Sequence, residues 1–176
     1  MTSNVFRAAL SKVKRKIFVS YHHSGDQAYY NAFANKFADE YEAVTDNSLD
    51  SEIDSDDVEY VMRRIREEYL TGTSCTIVLV GKDTWGRKYI DWEIKATLDK
   101  EHGLIGVQLP TLIPNANGKV VVPDRLRDNI ESGYAVWVTW AQFTASADAC
   151  AGFIEEAISR EKSLIKNDRA LRQRNA

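Results

Sequence analysis

The sequence is poor in the residues that build cross-linked or metal-bound proteins. Cysteine occurs only at Cys75 and Cys150, and histidine only at His22, His23 and His102. Two isolated cysteines in a chain with no recognisable signal peptide read as buried thiols, and no Cys or His spacing matches a zinc site. No metal is expected. Proline occurs only at Pro110, Pro114 and Pro123, all in one predicted loop. The longest clean apolar run, residues 77–80 (IVLV), is far short of the ~20 residues a membrane helix needs. The first residues lack the apolar core of a secretion signal, so a cytoplasmic protein that does not insert in membranes is expected. No segment repeats another.

What the chain does have is ordinary for a globular domain: 176 residues, 44% apolar and 28% charged. A chain of this length buries roughly 70% of its unfolded surface and needs no staple. Its net charge of −3 hides an uneven distribution. Residues 1–16 hold five basic groups and no acid, and residues 160–176 hold six against Glu161 and Asp168. The body between them carries 12 basic and 24 acidic residues. Such a body is a poor nucleic-acid binder, so no nucleic-acid partner is expected. The basic ends read as solvated, partly disordered tails. The organisation expected is a basic arm over 1–15, one domain over 16–160 and a basic helix end or tail over 161–176.

The body alternates strands and helices. Residues 16–21 (KIFVSY) read as strand one. Tyr30, Phe33, Phe37 and Tyr41 recur at helical spacing. Residues 42–45 are a weak second strand, and 46–55 (DNSLDSEIDS) form an acidic loop. Ser55 or Asp56 is placed to cap a helix whose apolar face is Val58, Val61, Met62, Ile65 and Tyr69. Residues 74–80 (SCTIVLV) form a strand buried on both faces. Residues 87–101 read as a helix terminated at Gly103, then 104–109 as a strand. After a long loop, 125–130 give a helical turn, 134–139 a strand and 146–166 the last helix. Together these imply an α/β doubly wound sheet of about five mainly parallel strands flanked by helices.

Several nucleotide-binding classes are excluded. Strand one is followed by no Gly-x-Gly-x-x-Gly, and no Walker-type phosphate loop is present. There is no Gly-x-Ser-x-Gly elbow, and strand one ends in Ser20-Tyr21-His22-His23 rather than the acid cluster of a phospho-receiver domain. One segment carries chemistry: residues 81–94, GKDTWGRKYIDWEI. Tyr89 and Glu93 are four apart and share one helix face. A carboxylate beside an aromatic ring at a cleft suits cleavage of an N-glycosidic bond. The carboxylate stabilises an oxocarbenium-like ribose, and the ring stacks on the departing base. By spacing alone, a solvated Glu and a packing Tyr are the commoner arrangement, since a two-residue match is a weak motif.

Three stretches raise the specificity. Ile17-Phe18-Val19-Ser20-Tyr21-His22, Asp46-Asn47-Ser48-Leu49, and the run from Thr73 to Gly81 with Thr84-Trp85 and Arg87-Lys88-Tyr89-Ile90-Asp91-Trp92-Glu93-Ile94 resemble the TIR-like domains of bacteria. The resemblance is strongest to the TIR-like subunit of the Thoeris anti-phage defence system and covers about half of the chain. It implies a flavodoxin-like TIR fold that takes NAD+ as substrate, with no separate cofactor. It implies cleavage of the nicotinamide–ribose bond to give ADP-ribose or a cyclised signalling isomer in antiviral defence. Glu93 matches the catalytic glutamate, and Tyr89 stands where many TIR domains carry Trp. Ser20, Tyr21, His22, Asp46 and Ser48 match positions around the substrate cleft. Asp83 and Trp85 lie on the loop leading to Glu93 and are candidates to line it. The partners expected are NAD+, an effector protein reached through the small-molecule product, and a further copy of the chain. Two other readings stay open: a non-catalytic self-assembly module and a nucleotide sensor.

Overall fold

The computed structural model describes residues 14–45 and 57–176. The cap positions Ser55 and Asp56 and the acidic loop 46–55 lie outside the described residues, as does most of the basic arm. Five parallel strands form one sheet in the order β2-β1-β3-β4-β5. They are β1 Arg15–Ser20, β2 Tyr41–Val44, β3 Thr73–Val80, β4 Gly103–Gln108 and β5 Val136–Thr139. The helices are α1 His23–Lys36, α2 Val58–Arg64 with a π-helical turn Ile65–Tyr69, α3 Lys88–Asp99, α4 Asp124–Glu131, α5 Trp140–Phe143 and α6 Ala147–Ser159. This is the doubly wound α/β fold expected, with the order reversing between β1 and β3.

Double-sided burial explains the central strands. Ile17 and Val19 of β1 and Cys75, Ile77 and Leu79 of β3 face Phe33 of α1 and Cys150, Ile154 and Ala157 of α6. The alternate residues face the other layer: Phe18 meets Val61 and Met62 of α2 and Trp92 of α3, and Val78 and Val80 meet Ile90, Ile94 and Leu98 of α3. With both faces covered, alternation disappears and the strands read as continuous apolar runs. Burial raises the thiol pKa of Cys75 and pushes that of Cys150 up to about 12, so both stay protonated and inert. No helix among the described residues is long and apolar enough to cross a membrane.

Four expectations need correction. Tyr41 does not extend the first helix: α1 ends at Lys36 and Tyr41 opens β2, because pairing with Arg15 takes its backbone into the sheet. The cap of α2 is Asp57, whose carboxylate accepts from Tyr60 N at 3.1 Å. Gly103 does not terminate α3. Glu101 takes the left-handed position there (φ 55°), and Gly103 opens β4, where a Cβ would lie 3.0 Å from the backbone of Ala157 and Ile158. The last helix ends at Ser159 rather than at 166. Arg160 is extended, its guanidinium bonds Gly133 O at 2.9 Å, and the chain rounds the sheet edge so that Leu164 and Ile165 pack in the opposite layer. The C-terminal residues are therefore not a solvated tail. They lie against α3 and α4.

Candidate active site

The order reversal between β1 and β3 leaves a crevice at their carboxyl ends, where open α/β sheets bind ligands. Ser20 is the last residue of β1 and pairs in register with Val78. From the other side α3 rises off the loop 81–87 and places Glu93 above the end of β1. Ser20 Oγ donates to Glu93 Oε2, with both side chains buried. The helix is keyed to the sheet one turn later: Thr97 Oγ1 donates to Glu93 O at 2.9 Å and lies 2.7 Å from Thr76 Oγ1 of β3. A buried carboxylate that keeps a hydrogen-bond donor is an oriented charge, which is what stabilising a developing cation requires.

Tyr89 sits one turn before Glu93 and is half-buried. Its ring meets Trp92 edge-on at 5.7 Å, and Lys88 Nζ lies 4.8 Å from its centroid. The four-residue spacing thus brings ring and carboxylate to neighbouring turns of one helix, with a cation beside the ring.

The other predicted residues are arranged less simply. Tyr21 is buried, with His23 stacked at 4.1 Å and Tyr30 at 4.7 Å, both nearly parallel to it. Two rings at such small offsets cannot lie side by side over one face, so they take opposite faces of Tyr21. Tyr21 thus lies between these two rings, and its hydroxyl donates to Gln27 Oε1 at 2.9 Å. His22 precedes α1, and its Nε2 lies 3.1 Å from Ser24 Oγ. Asp83 is exposed and its carbonyl accepts from Arg87 Nε at 3.2 Å. Trp85 is exposed and carries the Arg172 guanidinium 5.8 Å from its ring centroid. It shares a cleft with Asp91, Asp124 and Arg169, on the α4 side of α3, whereas Glu93 faces β1. The structure therefore joins Ser20 to Glu93, with Tyr89 one turn earlier on the same helix, and groups Trp85 elsewhere. Asp46 and Ser48 lie outside the described residues.

One cluster escapes a reading by motif. Asp26 of α1 is buried beside the loop after β3, where Thr84 Oγ1 lies 3.4 Å from its Oδ2 and accepts from Gly81 N at 2.8 Å. Burial raises its pKa, against the lowering effect of nearby His22 and the Thr84 hydrogen bond. Gly81 is required here, since a Cβ would lie 2.6 Å from Asp26 Oδ1 and 2.9 Å from Thr111 Oγ1. The available signal was a glycine directly after a buried central strand, which marks a close approach. Among the described residues no group of His, Cys, Asp and Glu is placed to hold a metal ion.

A parallel five-stranded sheet in this order, with a carboxylate held at its switch point, defines a flavodoxin-like doubly wound α/β domain. The model of the family described as "Thoeris protein ThsB, TIR-like domain" matches residues 18–113, from β1 to just beyond β4. The chain belongs to that family. It is also similar to a chain of the solved structure titled "Structure of the activated Roq1 resistosome directly recognizing the pathogen effector XopQ (TIR domains)". That likeness has 12% identity, covers 82% of each chain and has a TM-score of 0.40. No curated protein matches the chain.

Proposed function

We infer that this protein cleaves NAD+ at the bond between nicotinamide and ribose. The observation that carries the reading is Glu93, buried at the switch point, hydrogen-bonded by Ser20 and one turn from Tyr89. The leaving group is already cationic, so its departure needs no acid: the bond from C1′ to the ring nitrogen breaks and its electron pair neutralises the pyridinium. The positive charge then sits on the ribose, where a fixed carboxylate stabilises it. Water captures C1′ to give ADP-ribose and a proton, or an atom of the adenosine moiety captures it to give a cyclic isomer. Lys88 beside Tyr89 and the backbone N–H groups at the start of α1 are the groups suited to the pyrophosphate. In this reading the product carries an antiviral signal in the cytoplasm to an effector protein.

The test is nicotinamide release from NAD+, measured for the wild type and Glu93→Gln, in purified form and in lysate of phage-infected cells. Release by the wild type and its loss in the variant are expected. If no release occurs in either setting and Glu93→Gln keeps full protection against phage, the catalytic reading is wrong. The self-assembly reading then takes its place.

A further inference from the structure

The residues after α6 lie in a groove that reads main chain. Asn129 of α4, fully buried, donates from Nδ2 to Lys166 O at 2.7 Å and accepts at Oδ1 from Lys166 N at 2.9 Å. Arg125, also fully buried, donates to Asn167 Oδ1 at 3.0 Å and to Ala170 O at 3.2 Å. These contacts anchor residues 166–170. The following residues are held on α3 and its approach loop. Asp91 Oδ2 accepts from Arg172 N at 2.8 Å, and Trp92 Nε1 donates to Arg172 O at 2.9 Å, so neighbouring side chains grip both polar groups of one residue. Lys88 N donates to Asn175 Oδ1 at 2.9 Å, and Ala176 N donates to Gly86 O at 3.0 Å. Arg87, at the cap position of α3, offers no side-chain cap. The helix borrows its cap from Asn175.

Two features separate this arrangement from ordinary packing. No side chain from 166 to 176 is buried, and of these residues only Leu171 joins an apolar cluster. A segment held by polar contacts, with almost no apolar surface of its own buried, opens at a small part of the global stability. Moreover, the turn it grips leads into Tyr89 and Glu93, and Glu93 is 5% exposed with one oxygen engaged by Ser20. A carboxylate so covered meets a ribose only when its surroundings give way, and Tyr89, one turn before it on α3, lies in the stretch that the segment grips.

We propose that α3 and the loop before it form a peptide site whose resident occupant is residues 171–176, and that release of this occupant frees the first turn of α3 and uncovers Glu93. The site takes an extended segment with an amide side chain three residues after the gripped peptide, as Asn175 follows Arg172. A partner offering such a segment displaces the resident one and switches the protein on. The catalytic consequence rests on the proposed NAD+ cleavage, but the peptide site does not.

The test pins the segment in the full chain with Gly86→Cys and Ala176→Cys. A Cβ at Gly86 would lie 2.8 Å from Ala176 Cβ, about 1 Å from the usual separation in a disulfide. Oxidation should slow hydrogen exchange of amides 86–92 and cut nicotinamide release, each about tenfold, and dithiothreitol should reverse both. Reversal in the same sample separates the effect from misfolding. Asn175→Ala should act oppositely, speeding exchange at Lys88 and raising release. Unchanged exchange over 86–92 in oxidised, reduced and Asn175→Ala protein overturns the peptide site. Altered exchange with unaltered release overturns its coupling to Glu93. Altered exchange in a protein that releases no nicotinamide in any form supports the peptide site and places the failure with the catalytic reading.

Discussion

Ser20 and Glu93 stand 73 residues apart in the chain, yet the hydroxyl at the end of β1 bonds the carboxylate of α3 in a buried setting. Burial makes this contact consequential. A hydrogen bond to a charged group contributes about 1.5–3 kcal/mol, and a donor lost inside the protein is not replaced by water. Ser20→Ala should therefore lower nicotinamide release by roughly 10- to 100-fold while leaving the fold intact by circular dichroism. A rate equal to that of the wild type would show that Ser20 does not orient Glu93.

On the far side of the same helix, Asp91 pairs with fully buried Arg125 at 2.9 Å and 3.3 Å. Removing one member strands the other charge. Arg125→Met should cost about 3–5 kcal/mol, read from the urea midpoint. Adding Asp91→Leu should recover part of that loss, because the pair then disappears together. A double variant no more stable than Arg125→Met would contradict this account.

The end of α3 offers a paired test. Glu101 holds a left-handed conformation that costs an L-residue roughly 1–2 kcal/mol, most of which glycine avoids. Glu101→Gly should stabilise the protein by about 0.5–1 kcal/mol. Gly103→Ala should destabilise it by about 1–3 kcal/mol, since its Cβ meets the α6 backbone. Thermal melts of the two variants should shift in opposite directions.

Asp26 gives a pH dependence with a definite sign. Its pKa is raised in the folded protein, chiefly by burial, so the native state holds this proton at pH values where the unfolded chain has released it. Stability from this group is thus greatest below its unfolded value of 3.8 and falls as pH rises through the folded value. Asp26→Asn should melt higher than wild type at pH 7, with the gap closing toward pH 4. A gap that widens on acidification would refute this assignment.

Much of the fold was legible because periodicity reports burial directly. The unbroken apolar centre of residues 74–80 reads as a strand covered on both faces, and the stripe Ile90, Ile94, Leu98 as one side of a helix. Tyr89 and Glu93 were legible as neighbours because helical spacing is local. The ends of elements were less so. Whether Glu101 or Gly103 turns the chain depends on the α6 backbone packed there, which no nearby residue encodes.

By itself, then, the sequence determined a parallel α/β sheet, the family, and one helix face bearing a ring and a carboxylate. The sheet and the helix face follow from spacing along the chain, and the family from the resemblance of its residue strings. Only the tertiary structure decided that Ser20 meets Glu93, that His23 and Tyr30 enclose Tyr21, that Trp85 turns toward Arg172, and that Asn175 caps α3. All but the Tyr21 stack are contacts between residues far apart in sequence. For the buried pair Ser20 and Glu93 the cause is that burial leaves polar groups no water to bond, so each takes the partner the fold carries to it.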